Sequence, residues 1–129
     1  PDLRIDRVLD GDPESAFEGV VDEYGIAGFR LDETVLFHRS SRTLIVADLV
    51  HNIGRPTHAW TKLYTRAMGF YDRVALSRMV RWTGVSDRSK LQSSVERLLA
   101  LPFERLIVGH GAPLENARQT LADACSWLG

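Results

Sequence analysis

The chain has 129 residues, 44% of them hydrophobic and 26% charged, with a formal net charge of -1. That length favours one domain able to close a core, and the near-neutral balance supplies no overall basic field for nucleic acid. No apolar run approaches the roughly 20 residues needed to span a bilayer, and no secretory signal is visible.

Cys125 is the only cysteine, so an internal disulfide is excluded and a reducing, cytoplasmic setting fits. The first residue is Pro1 rather than Met. Residues 1–129 are therefore expected to be one domain that is a fragment, or half, of a larger fold.

In chain order, Leu3 to Leu9 alternates apolar and charged residues at period two, the pattern of a half-exposed strand. Asp10-Gly-Asp-Pro13 ends it. Phe17 to Tyr24 holds a second candidate centred on Val20 and Val21. Thr34-Val-Leu-Phe-His38 is a third, and Arg39-Ser-Ser-Arg42 turns it back into Leu44-Ile-Val-Ala47. Short strands with tight connections predict an antiparallel meander.

After Asn52 the pattern becomes helical. Thr57 is a candidate cap for a helix from His58 to about Met68, with Trp60, Leu63, Tyr64 and Ala67 on one face, Trp60 and Tyr64 being read as core or interface anchors. Val74 to Trp82 reads as a second helix, stopped at Gly84. Ser86 or Asp87 caps a third, with Leu91, Val95, Leu98 and Leu99 at helical spacing. Arg105 to Val108 is a strand. The last helix has Pro113 near its first turn and Ala117, Leu121, Ala124, Cys125 and Leu128 as its buried stripe. Strands, helices, strand, helix is the order of a layered α/β or α+β fold.

Two stretches carry chemistry. The strand Leu44 to Ala47 stops at a lone carboxylate, Asp48. The strand ending at Val108 empties into Gly109-His110-Gly111, where two glycines leave the imidazole uncrowded. Functional groups favour such sheet edges. Asp48 is a candidate metal ligand or general base; the plainer reading is a turn former after a strand. His110 is a candidate ligand or proton shuttle; the plainer reading is a loop histidine. His51 is either a third ligand or a surface residue near the site. His38 and His58 are read as solvent-facing. No Cys pair, His-x-His or His-Glu-x-x-His occurs, so no full metal site is spelled out locally. Arg66, Arg73, Arg78 and Arg81 make the helical middle basic, which suits either an anionic ligand or a solvated face.

Leu44-Ile-Val-Ala-Asp48, a helical insertion, Val108-Gly-His-Gly111 and a final helix together resemble the C-terminal half of the metallo-β-lactamase superfamily. The stretch Ser41 to Val50, followed by Asn52 and a Trp-bearing helix, is similar to an uncharacterised branch of it. The resemblance covers roughly residues 18–128 in element order, with two short specific motifs. It implies half of an αββα sandwich with metal at one edge, where Asp48 bridges two ions and His110 ligates one. The chain departs from the family pattern in two places. The His-x-His-x-Asp-His signature of the N-terminal half is absent. Phe29, in Gly28-Phe29-Arg30, stands where a Gly-His-Thr turn would supply another ligand, and it would make that part of the rim apolar.

Two functions follow from the resemblance. One is a metal-dependent hydrolase, using zinc or another divalent ion, with an incomplete site in this chain alone. The other is a non-catalytic, degenerate binding or interaction module. Either implies association, as a homo-oligomer or with the missing half, because a half-sandwich leaves one sheet face without a partner. No partner among nucleic acids or membranes is expected, and the small-molecule substrate is not readable.

Overall fold

In the computed structural model, residues 19–129 are described; the strand expected over Leu3 to Leu9 and its turn lie outside them. The fold is α/β. Strands β1 (Val21–Gly25), β2 (Thr34–His38), β3 (Thr43–Val46) and β4 (Arg105–Val108) form one sheet in the order β1-β2-β3-β4. Helices α1 (Ala59–Met68), α2 (Arg78–Thr83) and α3 (Arg88–Leu99) lie between β3 and β4, and α4 (Ala117–Cys125) follows β4, continued by a 3-10 turn over Ser126–Leu128.

The first three strands form the expected antiparallel meander. β4 instead pairs parallel with β3, Val46 opposite Val108. A parallel neighbour needs a long crossover rather than a hairpin, and the three helices between β3 and β4 supply it.

Alternation decides which face is buried. Val35, Phe37, Leu44, Val46, Leu106 and Val108 point inward and are all buried. Against them pack Leu91, Val95 and Leu98 of α3, and Ala117, Leu121, Ala124 and Cys125 of α4. The stripe predicted for the last helix is thus buried, including Leu128. The opposite sheet face carries a cross-strand row, Leu36, Ile45 and Ile107, with Ile107 41% exposed.

Four expectations need correction. The α1 face of Trp60, Leu63 and Tyr64 is exposed, Trp60 by 82%, and Thr65 is the buried residue of that helix. Helical spacing reports amphipathicity, but α1 lies on the surface. Its cap residue is His58, and no side chain closes the cap. The last helix begins at Ala117 rather than near Pro113, because Leu114 exchanges both backbone hydrogen bonds with Leu106 (2.8 and 2.9 Å) and so extends the sheet. The second helix is shorter than predicted. Ser77 caps it by accepting from Val80 N–H, while Ala75 is held in a backbone bridge to His51. Elsewhere Asp87 caps α3 as predicted, accepting from Lys90 N–H at 3.0 Å. Among the described residues no helix is long and apolar enough to cross a membrane.

Candidate metal centre

The parallel register of β3 and β4 determines where their exits lie. Asp48 is two residues beyond Val46, and His110 two beyond Val108, so both leave the sheet at the same edge. The His110 Nε2 and Asp48 Oδ1 atoms are 3.4 Å apart. The juxtaposition expected from the two motifs is therefore present.

Pairing resumes further on, with Asn52 bridged in parallel to Gly111. Asn52 N–H donates to the His110 carbonyl (2.9 Å), and Ala112 N–H donates to the Asn52 carbonyl (3.1 Å). The chain takes six steps from Val46 to Asn52 but three from Val108 to Gly111. The surplus on the β3 side forms an excursion. Leu49 and Val50 anchor it in the core, Asp48 faces the edge, and His51 is carried back toward His110.

His51 is thereby brought beside Asp48 and His110 and is not the surface residue of one plainer reading, while the other, a residue that supports the site from beside its ligands, stays compatible with this position. Its backbone exchanges hydrogen bonds with Ala75 at 3.0 and 3.1 Å. Its ring stacks on His110 with centroids 5.2 Å apart, and lies 5.8 Å from the Phe70 ring. Its Nε2 is 3.9 Å from Asp48 Oδ1, and its side chain is 12% exposed.

The glycines around His110 have a packing reason. A Cβ on Gly109 would lie 2.7 Å from the Ala47 carbonyl oxygen, and one on Gly111 (φ +121°) would overlap the Asn52 backbone. Only glycine lets the two strand extensions approach this closely.

Glu33 supports the site and was missed in the sequence. It is 5% exposed, and its two carboxylate oxygens accept from Ala47 N–H and Asp48 N–H, both at 2.9 Å. Burial pushes its carboxyl upward, against the pull of those N–H groups. An acidic residue just before a strand resembles ordinary polar punctuation, so little in the sequence marked it.

Asp48, His51 and His110 each offer a ligand atom, all within 4.8 Å of one another, and this group could hold a metal ion. The donors fit that purpose. Ligands about 2.1 Å from a tetrahedral ion lie about 3.4 Å apart; the Asp48–His110 pair is already at 3.4 Å and the Asp48–His51 pair at 3.9 Å. Burial lowers the pKa of His51, and the neighbouring His110 adds to that effect while Asp48 and the bond to Ala75 oppose it. A lowered value keeps the imidazole neutral, the form that can donate a lone pair.

The other candidates lie apart from the group. Phe29 is 5% exposed, packed in the core and bridged to Val85, so it forms no apolar rim. His38 Nδ1 pairs with Ser41 Oγ at 2.6 Å in the β2–β3 turn. His58 is exposed at the start of α1. No protein-family model and no curated protein matches the chain, so function has to be read from the site's own chemistry.

Proposed function

We propose that the chain is part of a metal-dependent hydrolase of metallo-β-lactamase type, with Asp48, His51 and His110 as ligands and zinc as the ion. The carrying observation is the convergence of three donor atoms within 4.8 Å at the C-terminal edge of β3 and β4. One carboxylate and two imidazoles match the three-ligand minimum of a catalytic zinc site with a position left for water. The set suffices for one ion. It falls short of the two-ion centre that the resemblance implies, and in that sense the site is incomplete.

A bound divalent ion supplies Lewis acidity toward a carbonyl or phosphoryl oxygen and lowers the pKa of a coordinated water. The protein's own groups do the rest. His51, held neutral by burial, and Asp48, held by Glu33, fix two donors on a pinned turn. Asp48 Oδ1 faces both imidazoles, leaving Oδ2 to accept a hydrogen bond from water. His110 is 60% exposed and Asp48 43%, so a substrate approaches from that side.

The same exposure favours the second reading, a non-catalytic binding module, because little shields the reacting centre from bulk water. Zinc-reconstituted protein assayed against a generic ester and a phosphodiester separates the two. Turnover that is lost in Asp48→Ala and His110→Ala supports hydrolysis. Stoichiometric metal with neither substrate cleaved supports the binding module.

The reading also makes the Leu36–Ile45–Ile107 sheet face a contact surface, for a second copy or a segment completing the sandwich. Light scattering that finds only monomer at micromolar concentration contradicts the homo-oligomer. The single buried thiol, Cys125, suits a reducing compartment, and we place the protein in the cytoplasm.

A further inference from the structure

We propose that Arg66, Arg73 and Arg78 form a binding site for a phosphate-bearing anion at the C-terminal end of α1. This site is separate from the Asp48–His51–His110 group and does not depend on a metal there.

The three arginines, with Gly69 and Tyr71, line a cavity of about 230 Å³. Among the described residues no acidic side chain lines it. Gly69 ends α1 in the left-handed conformation, at φ +81°. A Cβ at that point would lie 3.2 Å from Arg78 Nε and 3.3 Å from Arg73 Nη2. Two guanidinium groups therefore converge over a residue that has no side chain to fill the space between them.

A solvated basic face is the ordinary fate of such residues, and all three are exposed. Their arrangement departs from it. Arg73 Nε donates to the Gly69 carbonyl at 2.6 Å, and Arg78 Nη1 donates to the Ala67 carbonyl at 3.3 Å. The guanidinium of Arg66 lies 4.5 Å from the centroid of the Tyr71 ring. These contacts give each group a preferred position. Capping the last carbonyls of a helix accounts for one N–H of Arg73 and one of Arg78. A guanidinium has five N–H donors, so most remain available.

Charge points the same way. Four of the other described arginines meet carboxylates: Arg39 with Asp22, Arg42 with Glu104, Arg55 with Asp72, and Arg105 with Glu115. Arg30, Arg81, Arg88, Arg97 and Arg118 do not, among the described residues, so what sets the three cavity arginines apart is that they gather at one place. Among the described residues, none of Arg66, Arg73 and Arg78 has such a pair. Asp72, the nearest acid in sequence, is held by Arg55 at 2.6 Å. The nearby Arg81 has its pKa lowered, first by burial and then by the charge of Arg73. Three cations at one cavity, without a carboxylate partner among the described residues, are offset by a multivalent anion. Arginine forks match the oxygens of phosphate. The cavity accommodates a phosphate group with part of whatever carries it.

The test uses the full chain in chelator, so that phosphate cannot bind through a metal. Inorganic pyrophosphate is titrated at constant ionic strength against chloride, following backbone amides by NMR. The expected result is saturable shifts at Gly69, Phe70 and Tyr71. Arg73→Gln and Arg78→Gln each weaken binding roughly tenfold or more, the loss of one charge-assisted contact. Those two side chains also cap α1, so Arg66→Gln is the cleaner variant. Among the described residues the Arg66 side chain makes no hydrogen bond to the backbone, and its replacement should weaken binding similarly with an unchanged amide spectrum elsewhere. Arg105→Gln, outside the cavity, should bind as the parent does. Flotation with phosphatidylcholine vesicles carrying a phosphatidylinositol monophosphate distinguishes sources. Co-flotation that requires Arg66 assigns the site to a lipid headgroup, and its absence assigns it to a soluble phosphate ester. No saturable shift at residues 69–71, or unweakened binding in Arg66→Gln, overturns the proposal.

Discussion

Asp48 Oδ1 lies 3.4 Å from His110 Nε2 because the strands that carry them run parallel and in register. In an antiparallel pair the two strand exits would lie at opposite ends of the sheet. The β1–β3 meander alone could not have assembled this site. The helical crossover between β3 and β4 returns the chain in the one direction that does.

Glu33 should matter to the site without touching a ligand atom of the group. Each of its oxygens satisfies one backbone N–H of the Ala47–Asp48 turn. A glutamine there keeps one acceptor and presents an N–H₂ to the other N–H. Glu33→Gln should therefore cost about 1–3 kcal/mol of stability and weaken metal binding. Urea unfolding and a metal titration, run on the same variant, check both. Unchanged stability with an unchanged affinity would remove Glu33 from the account.

Much of the fold was legible because alternation and burial agree. Thr34 to His38 was read with the bounds it has as β2, since Val35 and Phe37 point to the core. The Asp48 and His110 positions were legible because a strand that ends in a polar group at a turn is a local signal. Other features rest on distant contacts. The Trp60, Leu63 and Tyr64 spacing could not say whether anything covers α1. Leu114 left the expected helix for a bridge to Leu106. His51 joins the site through a surplus of residues between Val46 and Asn52, which only the later pairing with Gly111 reveals. Glu33 is buried by a turn that lies 14 residues further on.

Acid should destabilise the metal-free chain through His51. Burial, chiefly, and the charge of His110 depress its pKa below the ordinary 6.5. Between the depressed and ordinary values the unfolded chain binds more protons than the native one. Stability therefore falls as pH drops through about 6.5 and goes on falling until the native value is passed. Thermal melts in chelator from pH 8 to pH 5 should show that decline. His51→Gln should flatten it. A profile with the same slope in both proteins would contradict the assignment.

Gly111 should be among the least replaceable residues. Its φ of +121° is one L side chains rarely adopt, and a Cβ would overlap the Asn52 backbone. Gly111→Ala is expected to cost about 1–3 kcal/mol from backbone conformation alone, with more from the displaced strand. Denaturant unfolding measures the loss, and amide spectra should show Asn52 and His110 moving together. A variant as stable as the parent would mean that the two strand extensions are not packed as described.

Cys125 should behave as an inert core thiol. It is 6% exposed, and burial pushes its pKa up to about 12. The thiolate is the reactive form. Native protein should react slowly with a disulfide reagent at pH 8, and denatured protein quickly. Fast labelling of the native state would place Cys125 outside the core.

Zinc titration by calorimetry of the chelator-treated chain tests the central claim most directly, with Asp48→Ala, His51→Ala and His110→Ala alongside. The three-ligand account predicts one zinc per chain, weakened at least about tenfold in each variant, with His51 as necessary as the other two. No saturable zinc binding, or stoichiometric binding that survives the loss of His51, would contradict it.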